Sequence, residues 1–378
     1  MHILIAPNAF KNSLSAAASA EAVLTGLNRS GLLFTAECFP IADGGDGTGF
    51  LIVERLGGRW VLCPVHDALG RPVMVSFGLI DDGRTAVIEM ADASGIRLLE
   101  RGELSPLVAT SYGTGELIRA ALDSGAREII LGVGGSATVD GGAGILRALG
   151  ARFLDRDGLE LMGSLADLER LDLLGIDPRI RECRIMVLCD VENELLGVVG
   201  AAAVFGPQKG ALPADVPVLE ASLRRLADVV FLETGRTIGS VKYGGAAGGV
   251  AAGLYGLLDA ELVNGIDHFL RLTGFEERLQ LADLVITGEG SIDEQTLQGK
   301  GPYGVASRAK ARGIPVIGLA GRVPLSASEG LREYFDVLLA IGNGPMELAE
   351  ALARTRENLE RMGEEVGRVY VSYLKCQV

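Results

Sequence analysis

Histidine and cysteine are scarce in this chain of 378 residues, which has three histidines and five cysteines. The histidines are far apart and none has the His-x-x-x-His spacing of a metal site, so zinc is not expected. A Gly-x-Ser-x-Gly motif is also missing, and without a well-placed histidine a serine hydrolase triad is not expected. The cysteines are scattered, odd in number and never spaced as Cys-x-x-Cys, a usage that favours a reduced, cytoplasmic protein.

The chain lacks long apolar runs as well. The least polar stretches, such as residues 195–205, are too short to cross a bilayer and lie between charged side chains. The N-terminal sequence MHILIAPNAF carries no cluster of positive charge and continues directly into a strand pattern, so no signal peptide is expected.

Positive charge is in deficit, because 35 lysines and arginines face 49 aspartates and glutamates, for a formal net charge of −14. This balance disfavours nucleic acid and anionic membrane as partners, since a polyanion is repelled. Small anions remain suitable ligands, because salt screens charges beyond about 8 Å and a few local cations decide what binds. Only six basic residues are lysines, and three of these lie within glycine-punctuated stretches: Lys11, Lys209 and Lys300.

The hydrophobic fraction of 48% is ample for burial, and the length exceeds the usual size of a single core, which predicts two domains. Four apolar segments near the chain ends, HILIA, LADLVITGEG, IPVIGLAG and FDVLLAIGNG, are typical of parallel strands buried on both faces. A helix is expected over residues 16–27, with Ser13 or Ser15 as its N-cap. The chain ends are therefore predicted to form one doubly wound α/β domain, residues 1–62 plus 270–378.

Residues 63–269 have a different pattern and are predicted to form a second α/β domain inserted into the first. PVMVSFGLI and TAVIEMA, separated by a short acidic turn, indicate antiparallel strands. Units of strand, glycine loop and helix follow at EIILGVGG, RIMVLCDV and YGGAAGGVAAGL, so a mixed sheet is expected. Two crossings between the domains would leave a cleft, the kind of place where small-ligand sites preferentially form.

The segment GGSATVDGGAG, residues 134–144, follows an apolar strand and precedes a helix. Backbone N–H groups exposed there, together with the helix dipole, favour a bound phosphate or carboxylate, and glycine permits close approach. A tight loop in which Asp140 merely caps the helix is the alternative. The candidate binding residues of this segment are Gly134, Gly135, Ser136, Thr138, Asp140 and Gly141.

This segment does not match the common nucleotide motifs well. GVGGSA satisfies Gly-x-Gly-x-x-Ala with Asp155 about twenty residues on, but the second glycine cluster falls where a dinucleotide fingerprint needs helix. The Walker pattern is absent, since QGKG at residues 298–301 has no hydroxyl residue after its lysine. Phosphate chemistry in this chain therefore needs a different cradle.

Acidic residues follow three further strand patterns. Asp43 and Asp46 in PIADGGDGTG are suited to hold Mg²⁺ through one or two oxygens and waters, or else to act as turn and cap residues. Asp190 closes the apolar strand of LCDVEN, where desolvation favours a metal or substrate partner. TGEGSIDEQTLQGKGPYG combines carboxylates, an amide and a lysine, as phosphoryl transfer requires, and its candidates are Glu289, Asp293, Gln295 and Lys300.

Together, several of these stretches resemble the type 1 bacterial glycerate kinases. The resemblance extends in order from residue 5 to residue 306 and depends on these segments: IAPNAFKNSLSA, IADGGDGT, TSYGTGELI, GGSATVDGGAGILRALG, CDVEN, FGPQKGA, GGAAGG and ITGEGSIDEQTLQGKGPYGVA. It implies phosphorylation of D-glycerate by ATP with Mg²⁺, with 2-phosphoglycerate as the favoured product. It also implies two α/β domains, one flavodoxin-like and one inserted, with the active site between them.

The resemblance supports a set of site residues in this sequence: Lys11, Asp43, Ser136, Asp140, Asp190, Asp293, Gln295 and Lys300. Lys209 lies in the matching segment FGPQKGA and is expected to bind substrate or phosphate, as are Glu289 and Gln295. The roles are hypotheses: Asp190 or Asp293 accepts the proton of the glycerate hydroxyl, while another aspartate holds Mg²⁺. The metal candidates are Asp43, Asp190 and Asp293. Lys11 and Lys300 steady the γ-phosphate or the substrate carboxylate.

Three departures from the family pattern put the substrate preference in question. Asn8-Ala9 replaces a common Asp-Ser, Val139 replaces an Asn, and Glu192-Asn193-Glu194 stands where the family often has Asn-Pro after Asp-Val. A kinase of another small hydroxy acid, a Rossmann oxidoreductase and a small-anion sensor with weakened catalysis are the alternatives. The expected partners are D-glycerate and ATP, without nucleic acid or membrane, and a homodimer is compatible with the sequence.

Overall fold

The computed structural model of the protein describes residues 1–375. Its strands are β1 (His2–Ile5), β2 (Thr35–Cys38), β3 (Arg59–His66), β4 (Pro72–Ile80), β5 (Thr85–Glu89), β6 (Glu128–Gly132), β7 (Arg152–Leu154), β8 (Arg170–Asp172), β9 (Arg184–Cys189), β10 (Glu261–Asn264), β11 (Leu284–Ser291), β12 (Val316–Arg322) and β13 (Val337–Ala340).

The α-helices are α1 (Ala16–Arg29), α2 (Thr48–Arg55), α3 (Met90–Ser94), α4 (Tyr112–Asp123), α5 (Ala143–Ala148), α6 (Ala201–Phe205), α7 (Asp215–Thr234), α8 (Val250–Leu258), α9 (Gly265–Leu272), α10 (Phe275–Leu279), α11 (Gly301–Ala311), α12 (Glu329–Tyr334), α13 (Leu348–Ala353) and α14 (Thr355–Lys375). Short 3-10 helices lie at Asp81–Gly83, Ile96–Leu98, Arg101–Glu103, Pro178–Glu182, Pro207–Lys209, Ala246–Gly249 and Thr296–Gln298.

The chain divides into two compact units. The terminal unit is Met1–Asp43 together with the chain from Ile266 onward, and the central unit is Gly44–Gly265. The sequence predicted boundaries at 62/63 and 269/270. The central unit instead begins at Gly44 and ends at Gly265, so α2 and the start of β3 belong to it. Pairing explains this placement, because β3 is hydrogen-bonded to β4 along its whole length.

The terminal unit contains a five-stranded sheet in the order β13-β12-β11-β1-β2, and all its neighbouring strands are parallel. Counted in chain order, these strands are arranged 2-1-3-4-5, the flavodoxin-like doubly wound order. Apolar side chains of the central strands are fully buried, as the pattern predicted; they include Ile3, Ile5, Leu284 and Ile286. The predicted fold class of this domain is confirmed.

The helix predicted at residues 16–27 is α1, and Ser15 caps it by accepting a hydrogen bond from the Ala18 N–H at 3.2 Å. This helix packs closely against α14. A methyl group built on Gly26 would lie 1.9 Å from the Glu360 carbonyl oxygen, and one on Gly363 would lie 2.4 Å from the Val23 carbonyl oxygen. The two backbones therefore approach at a distance that only glycine allows.

We expect Gly26→Ala to lower the free energy of unfolding by about 1–3 kcal/mol, the usual cost of overpacking. The obstructing atom is a backbone oxygen of α14, so the two helices must separate rather than a side chain rotate. Urea unfolding measures the change. Gly344→Ala is the matched control, because a methyl group there meets nothing within 4 Å. Equal unfolding midpoints for the two variants would contradict the prediction.

The central unit contains a six-stranded sheet in the order β10-β9-β6-β5-β4-β3. Strands β3, β4 and β5 pair antiparallel, whereas β5, β6, β9 and β10 pair parallel. The expected antiparallel pair, PVMVSFGLI with TAVIEMA, is β4 with β5, and the mixed sheet is confirmed. A small antiparallel pair, β7 with β8, lies outside this sheet.

The described cysteines are unpaired, and Cys376 lies outside the described residues. Burial raises the pKa of the thiols of Cys38 and Cys183 to about 11, so both stay protonated at neutral pH. Within residues 1–375, no helix combines the length and the apolar character needed to cross a bilayer.

Candidate active site

In the terminal unit, chemically suited side chains follow the carboxyl ends of adjacent parallel strands. Asn8 and Lys11 follow β1, Asp43 follows β2, and Glu289 lies near the end of β11. Open α/β sheets bind ligands at this edge. These segments were expected to carry the site, and the sheet order brings them together because β1 lies between β2 and β11.

Asp43 is buried and fixed by hydrogen bonds. Its Oδ2 accepts one from the Asn8 amide Nδ2 at 2.9 Å and one from the Gly301 N–H at 3.4 Å. Asn8 is itself buried. The amide therefore supplies a donor to Asp43 that an ionised aspartate at position 8 lacks. The Asn8 departure from the family pattern thus produces a direct contact with a candidate metal ligand.

Glu289 is the second buried carboxylate of this unit, with 8% of its surface exposed. Burial raises its pKa to about 7, and the neighbouring charge of Asp43 also acts to raise it. Lys300, a hydrogen bond from the Thr296 hydroxyl at 3.0 Å and Lys11 act in the opposite direction. Two carboxylates and two ammonium groups therefore interact at this edge of the sheet.

Asp293 and Gln295 belong to the turn after β11. The Asp293 Oδ1 accepts a hydrogen bond from the Gln295 N–H at 2.9 Å, and its Oδ2 accepts one from the Ser291 hydroxyl at 3.4 Å. The Gln295 side chain is exposed. The turn thus fixes the orientation of the Asp293 carboxylate, and its role as base or metal ligand stays a prediction.

A divalent cation suits the carboxylates of Asp43 and Glu289. Burial and, to a lesser extent, the charge of Asp43 raise the pKa of Glu289, and a cation would relieve the repulsion between the two groups. Among residues 1–375, no group of three or more histidine, cysteine, aspartate or glutamate side chains is arranged to hold a metal alone. Mg²⁺ commonly takes only one or two protein carboxylates and completes its shell with water and phosphate oxygens. Asp43 and Glu289 supply the one or two carboxylates that such a site uses.

In the central unit, Lys209 lies behind the glycine-rich segment 134–144. It is 3% exposed, and its Nζ donates to the Ser136 hydroxyl at 2.8 Å and to the Thr138 carbonyl at 2.7 Å. Burial lowers the pKa of Lys209 to about 7, against the attraction of Asp140 and Asp190, which raise it. The observed contacts of this ammonium hold the loop; its expected contact with phosphate stays a prediction.

The Asp140 side chain stabilises the same loop through hydrogen bonds. Its Oδ2 accepts hydrogen bonds from the Ser111 N–H and hydroxyl and from the Gly144 N–H, and its Oδ1 accepts one from the Gly142 N–H, all between 2.8 and 3.1 Å. These contacts match the capping alternative stated for Asp140. A role in ligand binding stays a prediction.

Other glycine-rich segments of the central unit pack directly on this loop. The Gly134 N–H donates to the Gly44 carbonyl at 3.1 Å, and a methyl group on Gly134 would lie 2.5 Å from the Gly45 Cα. On the other side, the Gly141 N–H donates to the Gly248 carbonyl at 3.1 Å. The central-unit segments GGDG at residues 44–47, GGSATVDGGAG at 134–144 and GGAAGG at 244–249, distant in sequence, are therefore neighbours.

Thr138 and Asp190 are two further residues of the predicted site. Thr138 is fully buried, and its hydroxyl has no hydrogen-bond partner among the described residues. Asp190 follows β9, is half-buried, and is close enough to Lys209 to raise its pKa. The backbone at Gly135 is left-handed, with φ of 69°. Ser136, Thr138, Asp140, Asp190 and Lys209 thus form one group in the central unit.

Sequence reasoning missed Glu89, a buried carboxylate at the end of β5. It accepts hydrogen bonds from the N–H groups of Gly47, at 2.9 Å, and Gly49, and so fixes the start of α2. Burial raises its pKa to about 7, and Asp92 and Asp46 raise it too. The signal that identified Asp190, a carboxylate closing an apolar strand, is equally present in TAVIE at residues 85–89.

The raised pKa of Glu89 predicts a pH dependence of stability. The native state keeps this proton up to about pH 7, whereas the unfolded state loses it near 4.5, so the contribution is complete below 4.5 and lost by about 7. For such a shift the loss is on the order of 3 kcal/mol. We expect Glu89→Gln, which does not titrate, to flatten the fall in the free energy of unfolding between pH 4.5 and 7.

Chemical unfolding at several pH values measures this fall. Glu289 contributes a fall of the same sign, so the slope should be reduced rather than abolished. An equally steep fall in wild type and Glu89→Gln would contradict the prediction.

A model of the glycerate kinase family matches residues 3–371. The chain is 45% identical over 369 residues to the glycerate kinase of Bacillus subtilis (strain 168), covering 97% of each chain. It is 43% identical over 377 residues to the glycerate 2-kinase of Escherichia coli (strain K12), again covering 97% of each. A crystal structure of a protein provisionally named glycerate kinase 2, from Salmonella typhimurium LT2, matches with a TM-score of 0.84 and 42% identity, covering 99% of each chain.

Proposed function

Because this chain belongs to the glycerate kinase family and is a phosphotransferase acting on an alcohol group, we propose that it phosphorylates D-glycerate with ATP and Mg²⁺. The favoured product is 2-phosphoglycerate, in keeping with the glycerate 2-kinase of E. coli among its relatives. A cytoplasmic location is part of the proposal. A homodimer and an active site between the two domains stay predictions.

The observation that carries the proposal is the interacting group of Asp43, Glu289, Lys11 and Lys300 in the terminal unit. Phosphoryl transfer depends on positioning the reactants and on stabilising negative charge that spreads over the transferred group. Ammonium groups supply that stabilisation, and buried carboxylates suit a divalent cation. Each residue type required by the reaction is therefore present at one sheet edge.

Within this proposal, Lys11 and Lys300 bind the γ-phosphate or the substrate carboxylate as point charges. Asp190 or Asp293 accepts the proton of the glycerate hydroxyl as the oxygen attacks phosphorus. The fixed orientation of Asp293 supports it as an acceptor, because proton transfer requires a set geometry. A base with an ordinary pKa suffices, since charge stabilisation carries most of the catalysis.

Mg²⁺ supplies charge neutralisation at the phosphate oxygens when it is bound. Asp43, with its orientation fixed by Asn8 and Gly301, is the first candidate to hold it, and Glu289 is suited to share it. Asp190 and Asp293 remain the other candidates.

In the central unit, the backbone of residues 134–144 is proposed to face phosphate or substrate. The N–H groups of Gly134, Gly141, Gly142 and Gly144 donate within the protein, so the part of the loop proposed to face an anion is residues 135–136, where the left-handed Gly135 turns the chain. Lys209 is bonded to the loop from inside and, when protonated, adds positive charge behind it.

A coupled assay of ADP release with D-glycerate tests the proposal, and activity should require both ATP and Mg²⁺. Enolase added without a mutase identifies the hydroxyl that is phosphorylated, because enolase consumes 2-phosphoglycerate but not 3-phosphoglycerate. Turnover with another hydroxy acid but not D-glycerate would favour the alternative kinase. Tight D-glycerate binding without turnover would favour a sensor, and NAD(P)H binding would favour an oxidoreductase.

A further inference from the structure

A cavity of about 610 Å³ lies entirely within the central unit, beside the glycine-rich loop. Val139, Asp140 and Ala143 of that loop form one wall, and the segment from Pro106 to Tyr112 forms another. Its volume lies within the range of small-molecule sites. This volume is far larger than a three-carbon acid occupies, so most of the cavity wall would remain in contact with water if only glycerate were bound.

Several of the apolar side chains that line this cavity are exposed to solvent. Val108 is 66% exposed and Val218 is 45% exposed, and Leu107 and Met162 are exposed beside them. Apolar side chains gathered around one opening indicate a surface that a ligand covers. A ligand with a broad apolar face would remove these side chains from water.

The cavity is lined by polar as well as apolar side chains, and its charged groups are mixed in sign. Arg147 donates from Nη2 to the Leu161 carbonyl at 2.6 Å and lies over the Phe153 ring at 4.7 Å. Its buried Nε–H has no acceptor among the described residues. Asp140, Glu160 and His66 also line the cavity, so its two carboxylates outnumber its one guanidinium, and Glu160 is the carboxylate whose oxygens are not held by the glycine-rich loop. This balance disfavours a small anion and suits a neutral ligand that both donates and accepts hydrogen bonds.

We propose that this cavity binds the purine nucleoside portion of the phosphoryl donor. A purine base is flat and apolar on its faces, its ring nitrogens accept hydrogen bonds as the Arg147 Nε–H requires, and an exocyclic amine donates to a carboxylate such as Glu160. The cavity wall continues into the loop proposed to face phosphate. The inference rests on the proposed function, since it assumes a nucleotide substrate.

Bulky substitutions at the rim test this assignment. Val108→Trp and Val218→Trp place an indole at the opening, and both positions are exposed, so the fold tolerates them. Val198→Trp, at a valine 92% exposed in the same unit and not lining the cavity, is the matched control. Isothermal titration of ADP with Mg²⁺ should give a Kd at least about tenfold higher for both rim variants and unchanged for the control. The KM for D-glycerate should not change.

An unchanged Kd for ADP in both rim variants overturns the inference, as does a selective loss of D-glycerate binding. Photolabelling of the wild-type chain with 8-azido-ADP gives a readout independent of any variant. Label on peptides of the cavity wall, such as residues 105–112, supports the assignment, and label confined elsewhere overturns it. If the label is found on the cavity wall but unlabelled wild type does not phosphorylate D-glycerate, the proposed function fails while the cavity assignment stands. If D-glycerate is phosphorylated but the rim variants bind ADP normally, the proposed function stands and the cavity assignment fails.

Discussion

Asp190→Asn and Asp293→Asn should each lower kcat by about 10²–10⁴-fold, the usual contribution of a positioned proton acceptor. Asparagine has nearly the same shape but cannot accept the proton of the substrate hydroxyl or neutralise a cation. Because the two side chains are nearly equal in volume, the replacement creates no cavity at either half-buried position. At position 293 the amide oxygen still accepts the Gln295 N–H, which preserves the turn. Steady-state kinetics with D-glycerate and ATP measures the change.

The two variants also separate the roles. The variant of the base should lose kcat at every Mg²⁺ concentration, whereas the variant of a metal ligand should recover part of its rate as Mg²⁺ is raised. Glu294→Gln, which changes the exposed neighbour of Asp293, is the control and should keep wild-type kcat. Unchanged turnover in both aspartate variants would remove these residues from the mechanism.

Lys209→Met should lower kcat/KM by about a hundredfold or more. The change removes the donor that joins the Ser136 hydroxyl to the Thr138 carbonyl, two hydrogen bonds of a kind worth about 1.5–3 kcal/mol each when the donor is charged. Methionine fills a similar volume, so packing is largely kept. The loop then loses its internal connection, and its backbone N–H groups no longer hold one geometry.

A pH series distinguishes this role from a simple structural loss. The folded state gives up the Lys209 proton near pH 7 and the unfolded state near 10.5, so the unfolded state binds more protons between these values and stability rises with pH across that window. The rise is about 1.4 kcal/mol per pH unit inside the window. We expect Lys209→Met to lack it. Full activity, or a rise as steep as in wild type, would contradict the assignment.

Much of this molecule could be predicted from local sequence. Near-continuous apolar strands such as residues 284–288 specified a buried parallel sheet, because both faces must leave water. The cap of α1 was narrowed to Ser13 or Ser15, because a serine hydroxyl before a helix accepts a free helix N–H, and the structure shows that Ser15 is the one that does so. The glycine-rich and acidic segments of the candidate site were also recognisable locally, because each places glycines or carboxylates directly after a strand.

The tertiary structure alone decided which of these polar groups have partners. Asp140 has the local pattern of a ligand contact, yet its oxygens are occupied by Ser111 and the glycine N–H groups of its own loop. Lys209 was expected from the sequence to bind substrate or phosphate; the fold buries it against Ser136, a residue 73 positions away, and its phosphate contact stays a prediction. Burial and partnership depend on contacts between distant segments, so a pattern shows which chemistry is available, and packing determines where it is used.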